Sequence, residues 1–179
     1  MFNFYYTLCI LVLTIIFIVK FGKNNPLEMF SLPVKTYVIT LQKDKKIEEK
    51  FIRFNGIDGE NYNYQKEIDK NIIKPIFEKD DILVEMSKKE IGEILSHYYL
   101  WKHIENEKNP ILVLNNEKQI NEKFKDKLNN ILMNLPSHWD VYQINNDYLI
   151  NPTSIKKILK LLPFNSEFKS WLSNNILNK

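Results

Sequence analysis

Apolar and polar positions divide this chain into unlike stretches. From Phe4 to Val19 the residues run FYYTLCILVLTIIFIV, without charge and apolar on every helical face. With Phe21 the run approaches the ~18 apolar residues at which a membrane-spanning helix becomes the default reading. Tyr5 and Tyr6 suit one membrane interface, and Lys20 and Lys23 suit the other. A cleaved signal peptide would need a basic start and a small-residue cleavage site, and the segment has neither. The expected organisation is a single-pass membrane anchor over residues 1–21. A polar linker with Pro26 and Pro33 follows over 22–33, and a folded domain over 34–179. Two lysines after the span are too few to set the side on which that domain lies.

Beyond the linker the periodicity alternates. Thr36 to Leu41 (TYVITL) is β-branched and aromatic, the pattern of a buried strand. Ile47 to Phe54 predicts a short helix, and Asn55 to Gly59 (NGIDG) a turn. Residues 61–85 are charged and without clear period, and Pro75 interrupts them. Ser87-Lys-Lys-Glu90 has the form of a capping box, in which hydroxyl and carboxylate satisfy the first free amides of a helix. Ile91, Leu95, Tyr98 and Tyr99 then recur at helical spacing. Ile111 to Leu114 (ILVL) is a short continuous apolar run, as in a strand covered on both faces. Glu122 to Leu135 predicts an amphipathic helix, Trp139 to Ile144 a strand, and Asn151-Pro152 a capped helix start. Residues 166–177 predict a last helix. Strands alternating with helices give an α/β class with a mainly parallel sheet.

Composition narrows the chemistry. Four glycines, at 22, 56, 59 and 92, form no phosphate-cradling loop. One cysteine, Cys9, excludes an intrachain disulfide framework and any cysteine-rich metal site. Of 25 basic residues all but Arg53 are lysine, and the net charge of +3 is spread along the chain without a basic stripe. Lysine is a hydrated point charge and does not grip phosphate bidentately, so nucleic acid is not an expected partner.

Three stretches, in order and separation, carry a family resemblance. They are Tyr37-Val-Ile-Thr-Leu41, the run Lys89 to Trp101, and Ile111 to Leu114 with the polar residues after it. Together they resemble glycosyltransferase family 25, the lipooligosaccharide and procollagen galactosyltransferase group. That family has a Y-V-I-N-L-like strand and a D-G turn, here Asp58-Gly59. Its G-C-x-x-S-H-x-x-x-W helix corresponds to Gly92, Glu93, Ser96, His97 and Trp101. Later pieces, Trp139-Asp140-Val141 and Tyr148 to Asn151, are similar to the family's W-D strand and following helix start. The resemblance implies a GT-A-like nucleotide-sugar-binding fold. It also implies transfer of a hexose from a UDP-sugar to a hydroxyl of a glycan, lipid or protein. The family often holds Mn²⁺ on an acidic triplet, because the leaving nucleoside diphosphate develops negative charge that a divalent cation stabilises.

The chain departs from the family at that triplet, where E-D-D is replaced by Asn115-Asn116-Glu117. Asparagine carbonyls can bind hard cations but bring no charge, so the resemblance implies a weakened metal site on Asn115 and Glu117. It implies substrate contacts from Asp58, Ser96, His97 and Asn116. Residue type alone supports a plainer alternative for Ser96 and His97: a helix packed closely on the sheet, with the two side chains bonding nearby groups. Asp80 and Asp81 read as solvent-facing acids, and Trp101, Trp139 and Trp171 as core. Two functions follow: a working transferase, or a catalytically inactive, membrane-tethered relative that acts as a binding module.

Overall fold

A computed structural model of the chain describes residues 34–42, 47, 49–115 and 120–177. The anchor expected over 1–21 and the linker over 22–33 lie outside the described residues. Among the described residues, no helix is long and apolar enough to cross a membrane.

A five-stranded sheet in the order β2-β1-β5-β7-β6 organises the domain. Its strands are β1 (Lys35–Thr40), β2 (Ile52–Asn55), β5 (Ile111–Leu114), β6 (Val141–Ile144) and β7 (Asp147–Ile150). β1 pairs parallel with β2 and with β5. β7 pairs antiparallel with β5 and with β6, so the sheet is mixed rather than mainly parallel. The reversal comes from a tight hairpin. Ile144 pairs with Asp147, leaving only Asn145 and Asn146 in the turn, and Asn145 takes a positive φ of 59°. Asparagine tolerates that left-handed backbone, which two-residue hairpins require. Tyr148 to Ile150 is therefore strand, not the start of a helix. The cap expected at Asn151 is present: its side chain accepts from Thr153 N, and Pro152 opens a 3₁₀ turn (Pro152–Ser154).

The second departure is at β2. Residues 52–55 are strand, where helical spacing over 47–54 had predicted a helix. Register against β1 (Tyr37 opposite Ile52 through Thr40 opposite Asn55) supplies backbone hydrogen bonds that a four-residue helical fragment could not match.

β5 is buried along its whole length between β1 and β7, as its continuous apolar run requires. Against the sheet packs α2 (Lys88–Ile104), whose capping box between Ser87 and Glu90 is fully formed. Its buried face includes Ile91, Ile94, Leu95, Leu100, Trp101 and Ile104. Glu67, on the short α1 (Gln65–Asp69), is buried beside this helix and accepts from Tyr62 and Tyr99. The expected amphipathic helix is α3 (Glu122–Asn134), capped by Asn121. A short α4 (Ile155–Ile158) and α5 (Phe168–Leu172), the latter continued by a π-turn (Ser173–Leu177), close the fold. Phe164, Phe168, Trp171, Trp101 and Tyr148 form one buried aromatic cluster between α2, α5 and β7.

Apart from the main sheet, β3 (Ile76–Lys79) and β4 (Ile82–Glu85) form a two-stranded hairpin. Asp80 and Asp81 make its turn, with φ values of 52° and 62°. Both are exposed, in keeping with their reading as solvent-facing acids.

Candidate functional site

A cavity of about 640 Å³ opens at the carboxyl ends of β1 and β5. From β1 the sheet extends to β2 on one side and to β5 and β7 on the other. Open α/β sheets place ligands at such a point, where the loops leaving two adjacent strands diverge. Thr40 to Gln42 and Asn115 supply the strand ends, Ile57 to Glu60 the loop after β2, and Lys89, Glu93, Ser96 and His97 one face of α2. Asn146, from the β6–β7 turn, and Lys169, from α5, complete the wall.

The loop after β2 is fastened to α2 by close backbone approach. A Cβ on Gly59 would stand 1.7 Å from the Lys88 carbonyl oxygen, and one on Gly92 would stand 2.6 Å from the Ile57 carbonyl oxygen. Only glycine fits at either position. Ser96 adds the hydrogen bonds. Its Oγ accepts from Ile57 N at 2.7 Å and donates to the Gly92 carbonyl at 2.6 Å. The hydroxyl is thus occupied in holding loop to helix, as the packing alternative for this residue expected, although the side chain borders the cavity.

Asp58 is exposed at the mouth. Its carboxylate accepts from Glu60 N at 3.1 Å and from Asn61 Nδ2 at 2.6 Å, so it also shapes its own turn.

His97 is buried, with 1% of its surface exposed. Its ring lies flat on Phe168, centroids 3.8 Å apart, and its Nδ1 is 2.8 Å from Tyr148 Oη. Trp101 Nε1 donates to the same Tyr148 oxygen at 3.0 Å. Burial pushes the His97 imidazole down to about 3, so the ring is neutral at any ordinary pH. Burial likewise raises the Tyr148 hydroxyl above the usual phenol range.

Asn115 ends β5 with both its donors engaged. Its backbone N donates to Asp147 Oδ1 at 3.1 Å and its Nδ2 to the Asn146 carbonyl at 2.6 Å. Lys169 Nζ in turn donates to Asn146 Oδ1 at 2.9 Å, which sets an ammonium beside this strand end.

The model of glycosyltransferase family 25 (LPS biosynthesis protein) matches residues 34–178, almost the whole of the folded domain. The chain belongs to this family. Neither a curated protein nor a solved structure matches it.

Of the residues expected from the family pattern, Asp58, Ser96, His97 and Asn115 border one cavity. Asn116 and Glu117 lie outside the described residues. For a cation of the kind the family often uses, the described donor set does not suffice. Among the described residues no three His, Cys, Asp or Glu side chains converge on a point. Asn115 is neutral and offers a cation only an uncharged carbonyl oxygen, its Nδ2 donating to the Asn146 carbonyl.

Family spacing did not point to Lys169, Asn146 and Asp147. Asp147 is buried and Lys169 lies far along the chain. The only sequence signal was the Asn145-Asn146 pair, a hairpin turn between two apolar runs. Asp140 forms an ion pair with Lys157 at 2.5 Å and does not border the cavity.

Proposed function

We propose that this family 25 chain transfers a hexose from a UDP-sugar to a hydroxyl group of a glycan, lipid or protein. In this reading the apolar segment near the amino terminus tethers the enzyme to a membrane. The observation that carries the proposal is the cavity itself: the family's D-G turn, S-H helix and post-β5 residue, distant in sequence, border one space at the carboxyl ends of β1 and β5.

The chemistry asks for three things. The diphosphate needs positive charge nearby, and Lys89 and Lys169 border the cavity. The sugar hydroxyls need fixed hydrogen-bond partners. The acceptor hydroxyl must lose its proton as its oxygen attacks the anomeric carbon and the bond to the diphosphate oxygen breaks. A carboxylate within hydrogen-bond reach can take that proton. Glu93 suits this part: it borders the cavity and the adjoining groove between α2 and α5, and has no hydrogen bond to another described residue. Mn²⁺, if held by Asn115 and Glu117, would add charge neutralisation.

Calorimetric titration of the full-length chain with UDP and UDP-hexoses, followed by an assay of UDP release with glycan acceptors, tests the reading. Binding with acceptor-dependent release supports it. A folded chain that ignores millimolar UDP overturns it. Binding without turnover would favour the inactive binding module, which the neutral Asn115 also suits.

A further inference from the structure

Within the proposed UDP-sugar site, the polar chain behind the cavity wall is the feature with the most constrained chemistry. Indole N–H groups only donate, so Tyr148 Oη is an acceptor towards Trp101 Nε1 at 3.0 Å. The phenol has one proton of its own. The polar atom within reach of it is His97 Nδ1, at 2.8 Å. With Tyr148 donating to Nδ1 no buried phenol proton is left unpaired; Nδ1 is then the unprotonated nitrogen and the ring proton resides on Nε2. Phe168 stacks on the ring face at 3.8 Å and restrains its rotation. Nδ1 is engaged with Tyr148 in the buried aromatic cluster, Nε2 lies on the other side of the ring, and His97 borders the cavity. Nε2 has no hydrogen bond to another described residue, and it is not among the fully buried unsatisfied atoms.

We propose that Trp101 and Tyr148 act as positioning residues that hold His97 in its Nε2–H form, so that it donates a hydrogen bond to an oxygen of the nucleotide-sugar donor. The arrangement costs no reorganisation when the ligand arrives: ring orientation, tautomer and neutrality are set in the free protein. A neutral donor also suits a site where Glu93 lies one helical turn away on the same face. A protonated imidazole there would pair with that carboxylate instead of the ligand.

The test is histidine ¹⁵N NMR of the full-length chain, with UDP, UDP-glucose and UDP-galactose as probes. The expected spectrum has His97 protonated at Nε2 only, and its Nε2 resonance moves on ligand addition. A shift with UDP alone places the accepting oxygen on the diphosphate, and a shift seen only with the UDP-sugars places it on the hexose. His97→Phe weakens binding about tenfold, the loss of one hydrogen bond. Tyr148→Phe keeps the ring but frees Nδ1, so the two tautomers mix and affinity falls by a smaller factor. A His97 protonated at Nδ1 overturns the proposal. So does a nucleotide that binds without moving the Nε2 resonance, which leaves the transferase reading standing. A folded chain that binds none of the three probes overturns both.

Discussion

Gly59 and Gly92 meet backbone to backbone, and a Cβ on Gly92 would lie 2.6 Å from the Gly59 amide nitrogen. This contact sets the distance between the loop after β2 and α2, and with it the width of the cavity between them. Gly92→Ala forces the two backbones apart, and overpacking of this kind costs about 1–3 kcal/mol. Urea denaturation should report that loss, and UDP binding should fall further than stability alone explains, because the Asp58 turn moves with the loop. Gly56→Ala is the control. Its Cβ meets side-chain atoms only, Leu41 Cδ2 at 3.1 Å, Ile39 Cγ2 at 3.3 Å and Ser96 Oγ at 3.4 Å, so both effects should be smaller than at Gly92, where backbone atoms stand in the way.

Ser96→Ala removes the acceptor for Ile57 N and leaves that amide without its partner. A loss of about 1–3 kcal/mol follows from an unsatisfied donor in a part-buried place. Thermal melting checks the size. A variant with unchanged melting temperature would mean that the two glycines alone hold the loop.

His97 predicts a pH dependence of stability. Its imidazole lies at about 3 in the folded chain and near 6.5 when unfolded. Between those values the unfolded chain binds a proton that the folded chain refuses, so stability falls as pH is lowered from about 6.5 towards 3. At pH 5 the share of this one group is about 2 kcal/mol. Carboxylates titrate in the same range, so the measurement is a comparison: His97→Phe should flatten the stability profile between pH 7 and pH 5 by that amount. Identical slopes in both chains would contradict the burial of this ring.

Asn115→Asp returns one acid to the family's triplet. It also puts a carboxylate beside the buried Asp147 and removes the donor from the Asn146 carbonyl. Without metal the variant should lose about 1–3 kcal/mol. Added Mn²⁺ should raise its melting temperature more than that of the parent chain, since a ligand that binds only the folded state stabilises it by mass action. Equal responses to Mn²⁺ would show that charge at 115 does not govern cation binding.

Much of the site was legible because it rests on local signals. The capping box at Ser87 and Glu90 and the apolar ILVL run each act within a few residues or within one element, whereas the contact of Gly59 with Gly92 joins a loop to a helix and could not be read from either alone. The packing role of Ser96 was also open to sequence reasoning, since a small hydroxyl residue on a buried helical face must find a backbone partner. β2 and β7 were not legible. Residues 52–55 and 147–150 are strands because neighbouring strands supply their hydrogen bonds, and helical spacing in four residues carries no information about such partners. The link from Trp101 through Tyr148 to His97 was hidden for the same reason: it joins a helix to a strand 51 residues away along the chain. Lys169 could not be associated with Asn115 until the β6–β7 turn brought Asn146 between them.

The β3–β4 hairpin stands outside the main sheet, and Ile76, Ile82 and Leu83 leave much of their surface in solvent. Among the described residues its ladder has two strands and no third beside either edge, so its amides depend on one set of cross-strand bonds. In native-state hydrogen–deuterium exchange this ribbon should open as its own unit, with a free energy well below that of global unfolding, whereas β5 should exchange only when the whole domain unfolds. Breathing of the ribbon would then leave the sheet and the cavity at its carboxyl edge undisturbed.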